Sequence, residues 1–196
     1  MQIKYNTMKS IHILAFLLLF IGQTKAQTII PIEKHIDYIE AGKGIPDGTY
    51  LKDVNHLLDP FIGTWQGSID NKTYTFYIVK QTNTAYGVTL DKLEVRHYIV
   101  DNSTGIILED TRNTSRIYIK GDCFKKDLSD YALDYWGNNS RCGNKGWIRL
   151  KSLSPITMRF SYSWNPLDLR RKDECPGGNY VKSFFPENVD FILNKQ

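Results

Sequence analysis

The sequence predicts an all-β domain, and three observations predict it. From Phe61 onward, short runs rich in Tyr, Phe, Ile, Val and Thr alternate apolar and polar residues with a period of two. Gly, Asn and Asp separate those runs at short intervals, as tight turns require. No stretch between them carries a helical repeat of about 12 residues. Together these describe an antiparallel sheet with one buried face, and eight or nine strands of this kind form a meander closed into a single barrel. Closure is favoured because it removes the sheet edges that a monomer, the expected state here, otherwise has to protect.

In chain order, residues 1–26 read as a secretory signal peptide. Lys4 and Lys9 precede an apolar run from Ile11 to Ile21, and Thr24-Lys25-Ala26 supplies a small-residue exit. Such a run makes a helix of about 16 Å, too short for a hydrocarbon core of about 30 Å. Nothing later is long and apolar enough to predict a transmembrane segment, so an exported chain, periplasmic or extracellular, is expected. Residues 27–60 read as an N-terminal arm and a short helix. Gly42, Gly44 and Pro46-Asp47-Gly48 break periodicity in the arm, and Asp53 is placed as N-cap of two helical turns that Pro60 ends.

Residues 61–196 are the barrel. Ile62–Ile69 and Tyr74–Lys80 form a hairpin through Asp70-Asn71-Lys72. Leu93–Val100 turns into Ile106–Glu109, with a bulge expected where Asp91-Lys92 interrupts the apolar pattern. Arg116–Lys120, Tyr131–Trp136 and Trp147–Leu153 follow. Thr157–Trp164 is the clearest strand: Met158, Phe160, Tyr162 and Trp164 alternate with Thr157, Arg159, Ser161 and Ser163. Val189–Leu193 closes the series.

Charge excludes one class of partner. The whole chain has 25 basic and 21 acidic residues, but Lys4, Lys9 and Lys25 lie in the leader, leaving 22 against 21. A near-neutral surface gives no electrostatic footprint for nucleic acid. The remaining 170 residues are enough for one ordinary core without metal or a mesh of disulfides.

Cys123, Cys142 and Cys175 allow at most one internal disulfide in an exported chain. Cys142 precedes the strand at Trp147, and the loop holding Cys175 leaves its hairpin partner at Trp164, so both lie at one end of the sheet. Cys123, after Arg116–Lys120, falls at the other end. A disulfide needs Cα atoms within about 7 Å, which favours Cys142–Cys175 and leaves Cys123 as a buried thiol.

Phe61-Ile62-Gly63-Thr64-Trp65 resembles the opening of the calycin superfamily, the lipocalins and fatty-acid-binding proteins, where F-x-G-x-W starts the first barrel strand. The resemblance implies a structural motif of Phe61, Gly63 and Trp65. Trp65 would plug one end of the barrel, with a basic side chain, Arg159 or Lys195, packed over it. The whole mature chain is also similar to an uncharacterised family of small secreted bacterial proteins, through its exported start, Phe61–Trp65, Tyr135-Trp136-Gly137 and the ending from Phe185-Pro186 to Lys195-Gln196.

Chemistry-bearing patterns are sparse. His35, His56 and His97 have no ligand-spaced partners, so neither a metal site nor a cofactor is expected. His97 reads as an inward-facing wall residue beside Val95 and Ile99. Glu109, Asp110, Asp127, Asp130 and Asp134 read as solvated turn carboxylates rather than a catalytic pair. No nucleophile elbow or phosphate loop is present, so no catalytic residue is assigned and a non-enzymatic protein is expected. Inward aromatics either fill the barrel or line a cavity for a small apolar or amphipathic ligand. On the cavity reading, the ligand-binding residues are Tyr74, Phe76, Tyr98, Phe160 and Tyr162. The alternative is a filled barrel that meets an envelope or extracellular protein partner, as an interaction module or inhibitor, through the 27–52 arm and the 165–188 loop.

Overall fold

The computed structural model describes residues 27–196; the leader read in residues 1–26 lies outside the described residues. The elements run β1 (Thr28–Pro31), α1 (His35–Glu40), β2 (Thr49–Lys52), β3 (Gly63–Ile69), β4 (Lys72–Ala85), β5 (Val88–Asp101) and β6 (Ile107–Asp110). They continue with β7 (Ile119–Phe124), β8 (Tyr131–Trp136), β9 (Lys145–Ser154), β10 (Thr157–Trp164) and β11 (Asp190–Lys195). Eight strands, β3-β4-β5-β7-β8-β9-β10-β11, pair antiparallel in that order, and β11 returns to β3 to close the barrel. Inward residues of all eight strands make one apolar core.

One expectation is corrected at the N-terminal side. The helix lies in the arm, at His35–Glu40, and not at residues 53–59. Asp53 does accept hydrogen bonds from the Leu57 and Leu58 amides, as an N-cap would, but His56 sits at φ +56° and turns the chain out of helical geometry. The arm lies on the barrel. Its strand β1 pairs parallel with β2, which pairs parallel with the start of β5, and Ile32 and Leu51 are fully buried.

A second correction concerns Asp91. No bulge forms there: β4 and β5 pair without interruption from Lys72–Asp101 to Ala85–Val88, turning at Tyr86-Gly87. Asp91 stays in phase with Leu93, Val95, His97 and Ile99. Its carboxylate is met by Tyr50 Oη at 2.8 Å, Thr82 Oγ1 at 2.6 Å and the Asp53 amide at 3.0 Å, so the arm satisfies a polar residue set in a core row. The strand expected at 116–120 is likewise displaced to Ile119–Phe124, which puts Cys123 inside it.

The lower end is sealed around Trp65. Its indole is buried, Nε1 donates to the Phe61 carbonyl at 2.8 Å, and Lys195 Nζ stands 5.3 Å from the ring centroid. Gly63, at φ +134°, makes this possible, since a Cβ there would come within 2.9 Å of Lys195 Cε. Arg159 is not the covering residue; it lies on the outer wall, 3.5 Å from Asp190. The rings of Phe61, Phe124 and Tyr131 complete the seal.

Two partly or fully buried carboxyls respond oppositely to pH. Burial opposes ionisation of Asp91, but the hydrogen bonds from Thr82, Asp53 and Tyr50 outweigh it and hold its pKa below the usual range. Asp134, opposite Trp147 on β9, is pushed up by burial and then by the charge of Asp122. A raised carboxyl costs stability as pH climbs from its unfolded value, about 3.9, through its folded one. Asp134→Asn is therefore expected to raise the thermal midpoint at pH 7 and to change little below about pH 3, where both states are protonated. Midpoints measured across that range check it; a lower midpoint at pH 7 would contradict the sign.

Candidate functional site

At the upper end, the connection between β10 and β11 folds back into the barrel mouth. Its anchor is the Cys142–Cys175 disulfide, with Cα atoms 5.6 Å apart. The Val181 amide donates to the Cys142 carbonyl at 2.7 Å, and the Asn188 amide to the Tyr162 carbonyl at 2.9 Å. Between those two points the chain delivers Phe185 into the interior, where it is 4% exposed.

Phe185 stands among residues from four strands. Ring centroids lie 6.2 Å away for Tyr74 and 6.0 Å for Phe76 of β4, and 5.3 Å for His97 of β5. Tyr135 of β8 is at 5.0 Å, and Phe160 and Tyr162 of β10 at 5.5 and 5.6 Å. The register explains the convergence. Phe76 faces His97 across β4–β5, and Tyr162, paired with Ile148 across β9–β10, lays its ring over Gly146, where a Cβ would collide with it.

Four of the five residues read as ligand-binding, Tyr74, Phe76, Phe160 and Tyr162, are thus brought together, with Phe185 in their midst. Tyr98 is not. It points to the outer face of β5, where the Arg112 guanidinium lies 4.1 Å over its ring. Alternation explains this, since Tyr98 is out of phase with the inward row of Val95, His97 and Ile99.

Each polar group here has a partner, and His97, Glu109, Tyr135 and Asn144 are linked in one chain. His97, fully buried, bonds through Nε2 to Glu109 Oε2 at 2.6 Å. Tyr135 Oη donates to Asn144 Oδ1 at 2.9 Å and reaches Glu109 at 3.3 Å. Tyr162 Oη donates to the Lys145 carbonyl at 2.9 Å, and Tyr74 Oη to the Phe184 carbonyl at 3.0 Å. Burial pushes the Tyr74 and Tyr162 phenols up to about 12, and raises Tyr135 as well, so all three are hydrogen-bond donors at neutral pH. Glu109 had read as a solvated carboxylate and is instead the partner of His97. Strand β6 runs along the upper end of β5, pairing Ile99 with Glu109, and so delivers it.

Below Phe185 the barrel is solid. The void bounded by Phe76, Ile78, Val95, Leu133 and Phe160 holds about 10 Å³. Beside Phe185, a cleft of about 380 Å³ opens at the mouth, lined by Tyr162, Trp164, Tyr180, Val181, Phe185 and Glu187. Among the described residues no group of His, Cys, Asp and Glu is placed to hold a metal ion. Cys123 is a free, buried thiol, pushed up to about 12 by burial and then by Asp122, which leaves it unreactive.

Neither the family models, the curated proteins nor the solved structures contain a match to this chain. The Cys142–Cys175 bridge fits an oxidising compartment. Among the described residues no helix is long and apolar enough to cross a membrane.

Sequence reasoning missed Phe185 as a core residue. The available signal was Phe184-Phe185-Pro186 standing alone in a polar loop, but an isolated aromatic pair carries no period to give it a direction.

Proposed function

We propose that this chain is an exported, non-enzymatic barrel of calycin type that binds one small apolar or amphipathic ligand at its upper end. Phe185 is the observation that carries the reading. It is a side chain delivered by a loop, not a strand, into the ring of Tyr74, Phe76, Phe160 and Tyr162. Burying a Phe contributes about 1.5–3 kcal/mol, so a ligand of similar apolar area can replace it at little net cost. Withdrawal of the 183–186 segment also takes the Phe184 carbonyl from Tyr74 Oη. A ligand with an apolar body and a carbonyl or carboxylate head supplies both what Phe185 fills and what Tyr74 needs. The adjoining 380 Å³ cleft lies within the usual size of a ligand site, about 300–1,000 Å³.

The test is a titration of mature chain 27–196 with fatty acids, retinoids and haem, read by native mass spectrometry and fluorescence exchange. Saturable one-to-one uptake of at least one class is expected. Failure of the panel to bind either the wild-type chain or Phe185→Ala would sink the reading.

The 10 Å³ void favours a second reading, a filled barrel that meets a protein partner through its surface. The arm is then a poor contact element, since Ile32 and Leu51 are committed to the core, and the 165–188 loop is the better one.

A further inference from the structure

The outer wall of β9, β10 and β11 carries a polar groove of about 380 Å³ on the opposite side of the sheet from the site above. Its origin is legible in side-chain lengths. The central strand β10 turns two short residues outward, Ser161 and Ser163. Across β9 they face Arg149 and Trp147, and across β11 Ser161 faces Asp190. A short row between two long ones leaves a trough, walled by an indole and a guanidinium on one side and a carboxylate on the other. Arg159 closes one end of it.

Trp147 is 40% exposed at the wall of this trough, although a surface indole is usually turned inward or covered. Outward residues two apart on a strand stand about 7 Å from one another, so indole and guanidinium can engage the face and the edge of one six-membered ring. The π face is negative and attracts the partly positive C–H bonds of a saturated ring. Ser161, Ser163 and Asp190 supply hydrogen-bond acceptors and donors for hydroxyls beside it.

Charge narrows the class. Arg159 is paired with Asp190 at 3.5 Å, and Asp130, at the rim, with Lys125 at 2.5 Å. Among the described residues Arg149 makes neither an ion pair nor a side-chain hydrogen bond, and its fork suits one carboxylate. The paired carboxylates alongside disfavour a polyanion such as a phosphodiester chain. We infer that this groove is a binding site for a carboxylated sugar, a uronate-type pyranose seated on Trp147 with its carboxylate on Arg149.

The test uses mature chain 27–196, wild type and two variants, Trp147→Ala and Arg149→Gln, both of which should fold because neither side chain belongs to the barrel core. Calorimetry and ligand-observed NMR are run with an oligogalacturonide, its neutral counterpart and a mononucleotide. The wild type is expected to bind the uronate saturably. Arg149→Gln should weaken the uronate about tenfold while leaving the neutral sugar unchanged, and Trp147→Ala should abolish both. No saturable sugar binding up to about 10 mM, undiminished binding by Trp147→Ala, or preference for the mononucleotide would each overturn the assignment. None of these readouts depends on the Phe185 site.

Discussion

Phe185→Ala is expected to lower the unfolding free energy by about 3–5 kcal/mol, the usual cost of emptying a buried Phe position. The upper limit applies because the surroundings cannot collapse. Tyr74, Phe76, Phe160 and Tyr162 are set by strand register on β4 and β10, and the barrel is closed on both sides of them. The fold itself should persist, since no strand pairing involves Phe185; the neighbouring bridge is made by Glu187 to Tyr162. The space left is of ring size and adjoins the cleft at the mouth, so it should take up benzene or xenon. Urea midpoints give the energy, and xenon-induced NMR shifts of neighbouring side chains give the cavity. A loss below about 1 kcal/mol would mean that Phe185 is not seated in the core, and the ligand-exchange reading would fall with it.

Removing the disulfide should have the next largest effect. Cys142 and Cys175 are separated by 33 residues, and closing a loop of that length is worth about 3–4 kcal/mol on the chain-entropy model. The paired substitution Cys142→Ser with Cys175→Ser is expected to lose that amount. The loss should be spatially uneven. The bridge anchors the connection that carries Phe185, whereas β9 and β10 hold each other along their whole lengths. Hydrogen exchange should therefore accelerate first at the Val181 and Asn188 amides, which bond to the Cys142 and Tyr162 carbonyls, while amides within β9 and β10 stay protected. If the connection is the gate to the upper site, the same variant should also take up ligand faster. Uniform loss of protection would instead place the bridge in the global folding unit and remove it from gating.

Some elements were legible residue by residue. Tyr131–Trp136 and Thr157–Trp164 are strands with the ends that alternation marks, because each hairpin is local and its inward row is uninterrupted. The Phe61–Trp65 stretch lies at the sealed end of the barrel, where Trp65 is buried with Lys195 over its ring. Other elements failed for one shared reason. Asp91 reads as a break, and Glu109 as a solvated acid, because a polar residue in a core row looks like an error until its partners are known. Those partners sit on other strands: Tyr50 is 41 residues before Asp91, and His97 lies across the turn from Glu109. His56 shows the same limit locally, since nothing in Asp53-Val54-Asn55-His56 announces a left-handed residue that ends the helix before it begins.

What the sequence determined alone was what short-range period and turn chemistry carry: the all-β class, the meander of antiparallel strands and the alternation of strands such as Thr157–Trp164. Tertiary structure alone decided what enters the barrel and what satisfies its buried polar groups. Phe185 belongs to no strand, so no period gives it a direction, and only closure of β11 onto β3 together with the Cys142–Cys175 tether puts its ring among Tyr74, Phe76, Phe160 and Tyr162. A local pattern encodes which face of a strand is apolar, whereas the identity of what meets that face depends on loop closure over tens of residues, where the chain's many alternatives are separated by packing energy and not by propensity.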